Sequence, residues 1–303
     1  MHYSGNNIKM MVNNMVVNYT DEGPEEAPVI IFIHGFPLNM SMWNTQVQAL
    51  TDNYRVIAYD IRGHGDSDAG NEPFSIDMFV TDLIGLMDVL RIKKASLCGL
   101  SMGGYIALNA LENYPQYFES LVLCDTTCMP DSPKAKDKRM KTIESVIKNG
   151  VFYYAVESVK NLFAPESFIT KNAEIKAVEK MIINTSELSL CSTLLALSSR
   201  HETCTFLPEI NVPVLILVGE DDSITPPPVA RFMHENIKDS TLHLIHRAGH
   251  LSNLENTEKF NQHLRLFLDS VYKEQLNVIQ TADNSILRDL RNKLNMLLSF
   301  RSI

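Results

Sequence analysis

Six short apolar runs constrain the fold of this chain more than any other feature. They are VIIFI (29–33), RVIAY (55–59), ASLCG (95–99), SLVLC (120–124), VPVLILVG (212–219) and TLHLIH (241–246). Each is of strand length, and each is continuously apolar where a half-exposed strand would alternate. Such runs are buried on both faces, as in a parallel sheet covered by helices. Helix-patterned segments lie between them. In SIDMFVTDLIGLMDVL (75–90), Ile76, Phe79, Val80, Leu83, Met87 and Leu90 recur at helical spacing behind Ser75, a good N-cap. Strand and helix in alternation predict a doubly wound α/β domain. Upstream, MMV and MVVNY flank Asn13-Asn14, a dipeptide suited to a tight hairpin.

The alternation stops between residues 127 and 207, where only helical patterns occur, and resumes at Val212. The expected organisation is a core of residues 1–126 and 208–272, with a helical lid, 127–207, inserted after the sixth strand. A lid in that place covers the ligand-binding edge of the sheet. Beyond Tyr272, Leu287, Leu290, Leu294 and Leu297 follow three-and-four spacing. This predicts a C-terminal helical extension over 273–303, either docked on its own domain or serving as a seam for a homo-oligomer.

Composition narrows the partners. The 303 residues carry a formal charge of −9, and their one basic run, KAKDKRMK (134–141), reads as a solvated helix face, so nucleic acid is disfavoured. No apolar run reaches transmembrane length, and no membrane partner is expected. The five cysteines form no C-x-x-C pair and are odd in number, so a reduced, cytoplasmic setting fits better than a disulfide framework. No metal-ligand spacing occurs, and neither metal nor cofactor is expected.

The chemistry concentrates around SLCGLSMGGYIAL (96–108). Gly99-Leu100-Ser101-Met102-Gly103 is G-x-S-x-G between an apolar strand and a helix-patterned run, the setting in which a serine oxygen is held outward on a sharp turn. A serine hydroxyl needs a base to become nucleophilic. Of nine histidines, His250 lies in a polar, glycine-containing loop just past the last strand. An imidazole base needs a carboxylate to fix its tautomer. Glu220, Asp221 and Asp222 follow the strand ending at Gly219, and a solvated acidic turn is the other reading of that cluster.

Five motifs then occur in order: HGFP (34–37), YDIRGHGDSD (59–68), GLSMGG (99–104), GEDDSITPP (219–227) and AGHLSNLE (248–255). Over residues 12 to 272 the chain resembles α/β-hydrolase-fold serine hydrolases, most closely carboxylesterases and 3-oxoadipate enol-lactonases. The resemblance implies a Ser101, Asp222, His250 triad, with Asp222 matching the family's G-x-x-D-x-x-x-P pattern between Gly219 and Pro226. Asp221 is the neighbouring alternative, and Asp125 a second, because some relatives carry the acid there. It also implies an oxyanion hole from the backbone N–H groups of Phe36 and Met102. His34 is expected to be structural, Asp60, Arg62, Gly63 and Gly65 to form a scaffold turn, and His64 to lie at the surface. Gly99 and Gly103 would relieve crowding around Ser101, and Gly104 would let the next helix approach the sheet.

The implied activity is hydrolysis of a small ester or lactone through an acyl-enzyme. A C–C bond hydrolase or perhydrolase using the same triad is the alternative, as is a small-molecule sensor with little turnover. Lid residues Phe152, Tyr153, Tyr154, Leu162, Phe163 and Met181 suggest an apolar acyl pocket. Arg139 and Arg200 are candidates for binding a substrate carboxylate, with surface exposure as the other fate.

Overall fold

A computed structural model describes residues 2–273; the expected extension over 273–303 lies outside the described residues, Lys273 apart. Eight strands form one sheet in the order β1-β2-β4-β3-β5-β6-β7-β8. They are β1 (His2–Val12), β2 (Met15–Pro24), β3 (Val29–Ile33), β4 (Arg55–Tyr59), β5 (Ala95–Leu100), β6 (Phe118–Cys124), β7 (Val214–Gly219) and β8 (Ser240–Ile245). From β4 to β8 every pairing is parallel, while β1 and β2 form an antiparallel hairpin joined antiparallel to β4. Asn13 and Asn14 close that hairpin with φ of 47° and 62°, the left-handed pair a two-residue turn requires.

The apolar runs are continuous because successive residues feed two cores. Ile31, Ile33, Leu97, Leu121, Leu123 and Ile216 pack beneath α2 (Ile76–Val89), α3 (Met102–Asn113) and α8 (Pro227–Asn236). Their neighbours Ile30, Phe32, Cys98, Val122, Leu215 and Leu217 face α1 (Asn44–Leu50) and α10 (Thr257–Val271). Ser75 caps α2, its Oγ accepting the Met78 N–H at 3.1 Å. TLHLIH departs from the expectation of two buried faces. As the last strand in the order, β8 has only one neighbour, and His243 and Leu244 remain partly or largely exposed.

Between β6 and β7 the chain forms α4 (Pro133–Leu162), α5 (Ser167–Thr170), α6 (Asn172–Ile183) and α7 (Glu187–Ser199). Two expectations fail at the root of this insert. Cys128 and Cys204 form a disulfide, and the Thr203 N–H donates to the Cys128 carbonyl at 2.9 Å. The pair is invisible to spacing rules because its members are 76 residues apart and meet only where the insert leaves and rejoins the core. Arg139 and Arg200 are not surface groups awaiting a ligand. Both bond to the buried Asp131 carboxylate, Arg200 at 2.6 Å, and Arg200 also stacks 4.3 Å over the Tyr105 ring. Together they hold the Asp131 carboxyl below its usual range against the opposing effect of burial.

No single helix among the described residues is long and apolar enough to cross a membrane.

Candidate active site

Ser101 sits where β5 turns into α3, with φ 54° and ψ −113°, a region a non-glycine residue occupies only when its surroundings impose it. Those surroundings are backbone. A Cβ on Gly99 would lie 2.2 Å from the Gly103 carbonyl oxygen, so the turn closes only without one. A Cβ on Gly103 would lie 2.1 Å from the Ile33 carbonyl oxygen on β3, whereas one on Gly104 would meet the Thr126 side chain at 2.4 Å. Gly104 therefore lets the helix close on the end of β6, as expected, and Gly103 does the same against β3, a role the sequence did not assign it. Two bonds fix the turn from the side of β6: the Ser101 N–H donates to Cys124 O at 2.9 Å, and Thr126 Oγ1 donates to Ser101 O at 2.7 Å.

The HGFP segment packs against this turn, since a Cβ on Gly35 would lie 3.4 Å from Ser101 Cβ. Phe36 follows in a turn closed by the Leu38 N–H on Gly35 O at 2.9 Å. As the first residue of α3, Met102 has no intrahelical acceptor for its N–H. His34 is fully buried; its Nε2 accepts the Ile61 N–H at 2.9 Å, so Nδ1 carries the proton donated to Gly35 O. His64, expected at the surface, is also fully buried, its Nδ1 3.0 Å from Arg62 O and its ring 5.3 Å from that of His34. The turn after β4 folds inward because Asp60 accepts N–H groups from Met40 at 2.8 Å and Asp66 at 2.9 Å, and Arg62 forks onto Asp82 with two 2.7 Å bonds. Burial holds both imidazoles neutral, lowering His34 to about 4 and His64 to about 3, the latter with help from His34.

Of the three acids weighed for His250, Asp222 is the one it bonds. His250 Nδ1 lies 2.9 Å from Asp222 Oδ2, with both side chains almost wholly buried. Asp222 also accepts the N–H groups of Ile224 at 2.8 Å and Thr225 at 3.0 Å, and the Thr225 hydroxyl at 2.7 Å. Burial alone would raise its carboxyl, but the His250 charge and these bonds outweigh burial and leave it below its ordinary value. The carboxylate is thus ionised, and it directs the Nδ1 proton of His250 toward itself, which leaves Nε2 as the basic nitrogen. Asp221 is exposed in the turn. Asp125 is buried and gives its oxygens to the Gly219 N–H at 2.8 Å and to Ser252 Oγ.

Sequence reasoning missed the residues that hold the base. Glu255 Oε1 accepts the N–H of Gly249 at 2.8 Å and of Leu251 at 3.4 Å, one on each side of His250. Its Oε2 accepts the Ala164 N–H at 2.7 Å and the Ser167 hydroxyl, both in the insert. The His250 N–H reaches Leu162 O at the end of α4 at 3.0 Å. The insert is therefore bonded directly to the histidine loop. Of the lid residues proposed to line a pocket, Phe152 and Tyr153 face outward, 66% and 49% exposed, while Leu162 and Phe163 are buried near the base.

A cleft of about 200 Å³ lies between α2, α3 and the insert's root, lined by Ser75, Tyr105, Asn109, Thr127, Arg200 and His201 among others; it contains none of Ser101, Asp222 or His250. No cluster of metal-ligating side chains occurs among the described residues.

A family model described as Hydrolase_4, serine aminopeptidase S33, matches residues 24–257. The chain belongs to that family. This α/β hydrolase is 31% identical over 258 residues to 3-oxoadipate enol-lactonase 2 of Acinetobacter baylyi, covering 83% of this chain and 92% of the relative. A thermophilic esterase from Thermogutta terrifontis superposes with a TM-score of 0.83 at 32% identity, over 88% of this chain and 99% of the other. The enol-lactonase from Burkholderia xenovorans LB400 gives a TM-score of 0.81 at 27% identity, over 86% of this chain and 99% of the other. The family description names a peptidase, whereas these relatives are named for lactone and ester hydrolysis. The hydrolase lies on the esterase and enol-lactonase branch of the fold.

Proposed function

We propose that this α/β hydrolase cleaves small carboxylic esters or lactones through an acyl-enzyme on Ser101. The observation that carries the reading is the buried His250–Asp222 pair, its carboxylate ionised, on the loops after β8 and β7 of a sheet whose β5 ends in the strained Ser101. His250 Nε2 takes the Ser101 proton as Oγ attacks the substrate carbonyl. The developing oxyanion is met by the N–H groups of Phe36 and Met102, each such donor contributing about 10²–10³ in rate. Collapse of the tetrahedral intermediate expels the alcohol, or opens the lactone ring, with His250 returning the proton. Water activated by the same nitrogen then releases the acid. The names of the relatives support an ester or enol-lactone as substrate, both of which present an activated C–O leaving group.

Hydrolysis of p-nitrophenyl acyl esters by the wild type and by Ser101→Ala tests the assignment. The variant is expected to lose at least about 10³-fold in kcat/KM. Equal rates would remove Ser101 from the mechanism. A wild type that binds such ligands without turnover would favour a sensor. Relative kcat/KM across short-chain esters and enol-lactones then identifies the acyl group.

A further inference from the structure

Three loops must agree in position for the proposed chemistry: the serine turn after β5, the acid loop after β7 and the histidine loop after β8. One dipeptide, Asp125-Thr126 at the end of β6, touches all three. On the serine side, Thr126 Oγ1 bonds Ser101 O at 2.7 Å. On the acid side, Asp125 Oδ1 accepts the N–H of Gly219 at 2.8 Å, three residues before Asp222, and the Asp125 N–H reaches Leu217 O at 2.9 Å. On the base side, Asp125 Oδ2 pairs with Ser252 Oγ, two residues after His250. Asp125 is 1% exposed and carries φ 46°, the same kind of enforced backbone as Ser101.

We infer that Asp125 is a positioning residue, whose carboxyl group bridges the acid and histidine loops and, with Thr126, sets their register to Ser101. This inference rests on the proposed triad. Asp125 does not serve as the triad acid, because its two oxygens are committed to Gly219 and Ser252 while His250 bonds Asp222. The bridge uses both carboxyl oxygens as acceptors: Oδ1 takes the Gly219 N–H and Oδ2 takes the Ser252 hydroxyl. Burial, reinforced by the neighbouring Asp222 charge, pushes the Asp125 carboxyl well above its ordinary value, against the bonds from Ser252 and Gly219.

An asparagine at 125 keeps both contacts, its carbonyl accepting from Gly219 and its amide donating to Ser252 Oγ in place of the bond the hydroxyl now donates. Alanine removes it, and Ser252→Ala removes only the histidine-side half. With a p-nitrophenyl ester, Asp125→Ala is expected to lose about 10²-fold in kcat, the scale of an ångström-level misplacement, with KM within about threefold. Ser252→Ala should lose about tenfold with the fold intact by circular dichroism and melting, and stands alone if Asp125→Ala does not fold. Asp125→Asn should restore most of the kcat lost in Asp125→Ala. An unchanged kcat in both Ser252→Ala and Asp125→Ala would overturn the inference and leave the triad standing. An Asp125→Asn variant as poor as Asp125→Ala would also overturn it, by showing that contacts to Gly219 and Ser252 do not suffice to set the loops. Asp222→Asn, measured in parallel, is expected to lose about 10⁴-fold; a silent Asp222→Asn would instead overturn the triad assignment itself.

Discussion

His34 spends both ring nitrogens, and His64 its Nδ1, on the backbone that shapes the turn beside Ser101, and both do so as neutral groups without access to water. Their folded values, about 4 and about 3, lie below the ordinary 6.5. Between pH 6.5 and those values the unfolded chain binds protons that the folded chain refuses. Stability therefore falls as pH falls through that window, by up to about 1.4 kcal/mol per pH unit for each histidine. Asp60, Asp125 and Glu255 act in the opposite sense, because burial raises each of them in the folded protein. Comparing the wild type with His64→Gln separates the two contributions. Denaturant unfolding between pH 6 and 4.5 should show the variant losing stability less steeply, by as much as about 1.4 kcal/mol per unit. Parallel slopes would mean that His64 titrates normally. Ser101, Asp222 and His250 were legible at this scale because each stands in a short local motif. Thr126, Thr225, Ser252 and Glu255 were not. Thr126 lies outside the motifs, while Thr225, Ser252 and Glu255 lie inside them with nothing in their type to mark a role, and Ser252 meets its partner across 127 residues of sequence.

Among the elements, α3 carries a strict packing constraint. Its Gly103 faces the Ile33 and His34 carbonyls, where a methyl group would sit at 2.1 Å and 3.0 Å from oxygen. These are backbone atoms of β3 and the loop after it, so no side-chain rotation relieves the clash. Gly103→Ala must lift the start of α3 away from the sheet, and Ser101 moves with it. The expected cost is about 1–3 kcal/mol of stability together with a fall in kcat, read from a thermal melt and ester hydrolysis on the same preparation. A variant with unchanged melting and rate would show that α3 has room to spare. The parallel strands were legible because burial on both faces leaves few polar positions in their sequences. β8 misled because an apolar run says nothing about which strand ends the sheet. α4 reads as one helix in sequence, yet Gly150, at φ 82° and ψ 166°, breaks it, and a Cβ there would touch nothing within 4 Å.

For the molecule as a whole, the insert stands on a narrow base and reaches the loop carrying His250 at its far side. At the base, the Cys128–Cys204 disulfide, the Thr203–Cys128 backbone bond and the Asp131 carboxylate shared by Arg139 and Arg200 tie its first and last turns together. Across from it, Glu255 and Leu162 tie it to the loop carrying His250. A crosslink spanning 76 residues restricts the unfolded chain far more than the folded one. The loop-entropy relation puts its contribution at about 4 kcal/mol. Guanidinium unfolding of the wild type should shift downward by about that amount when a dithiol reductant is added. The double variant Cys128→Ser/Cys204→Ser should start at the lower stability and ignore the reductant. The remaining cysteines lend no such effect, since Cys98 and Cys124 are buried free thiols on adjacent strands and Cys191 is also free. A wild type insensitive to reductant would mean that the ion pairs at Asp131 and the bonds at Glu255 already hold the insert in place. In that case the disulfide adds nothing to stability, and Asp131→Asn becomes the substitution that loosens the insert.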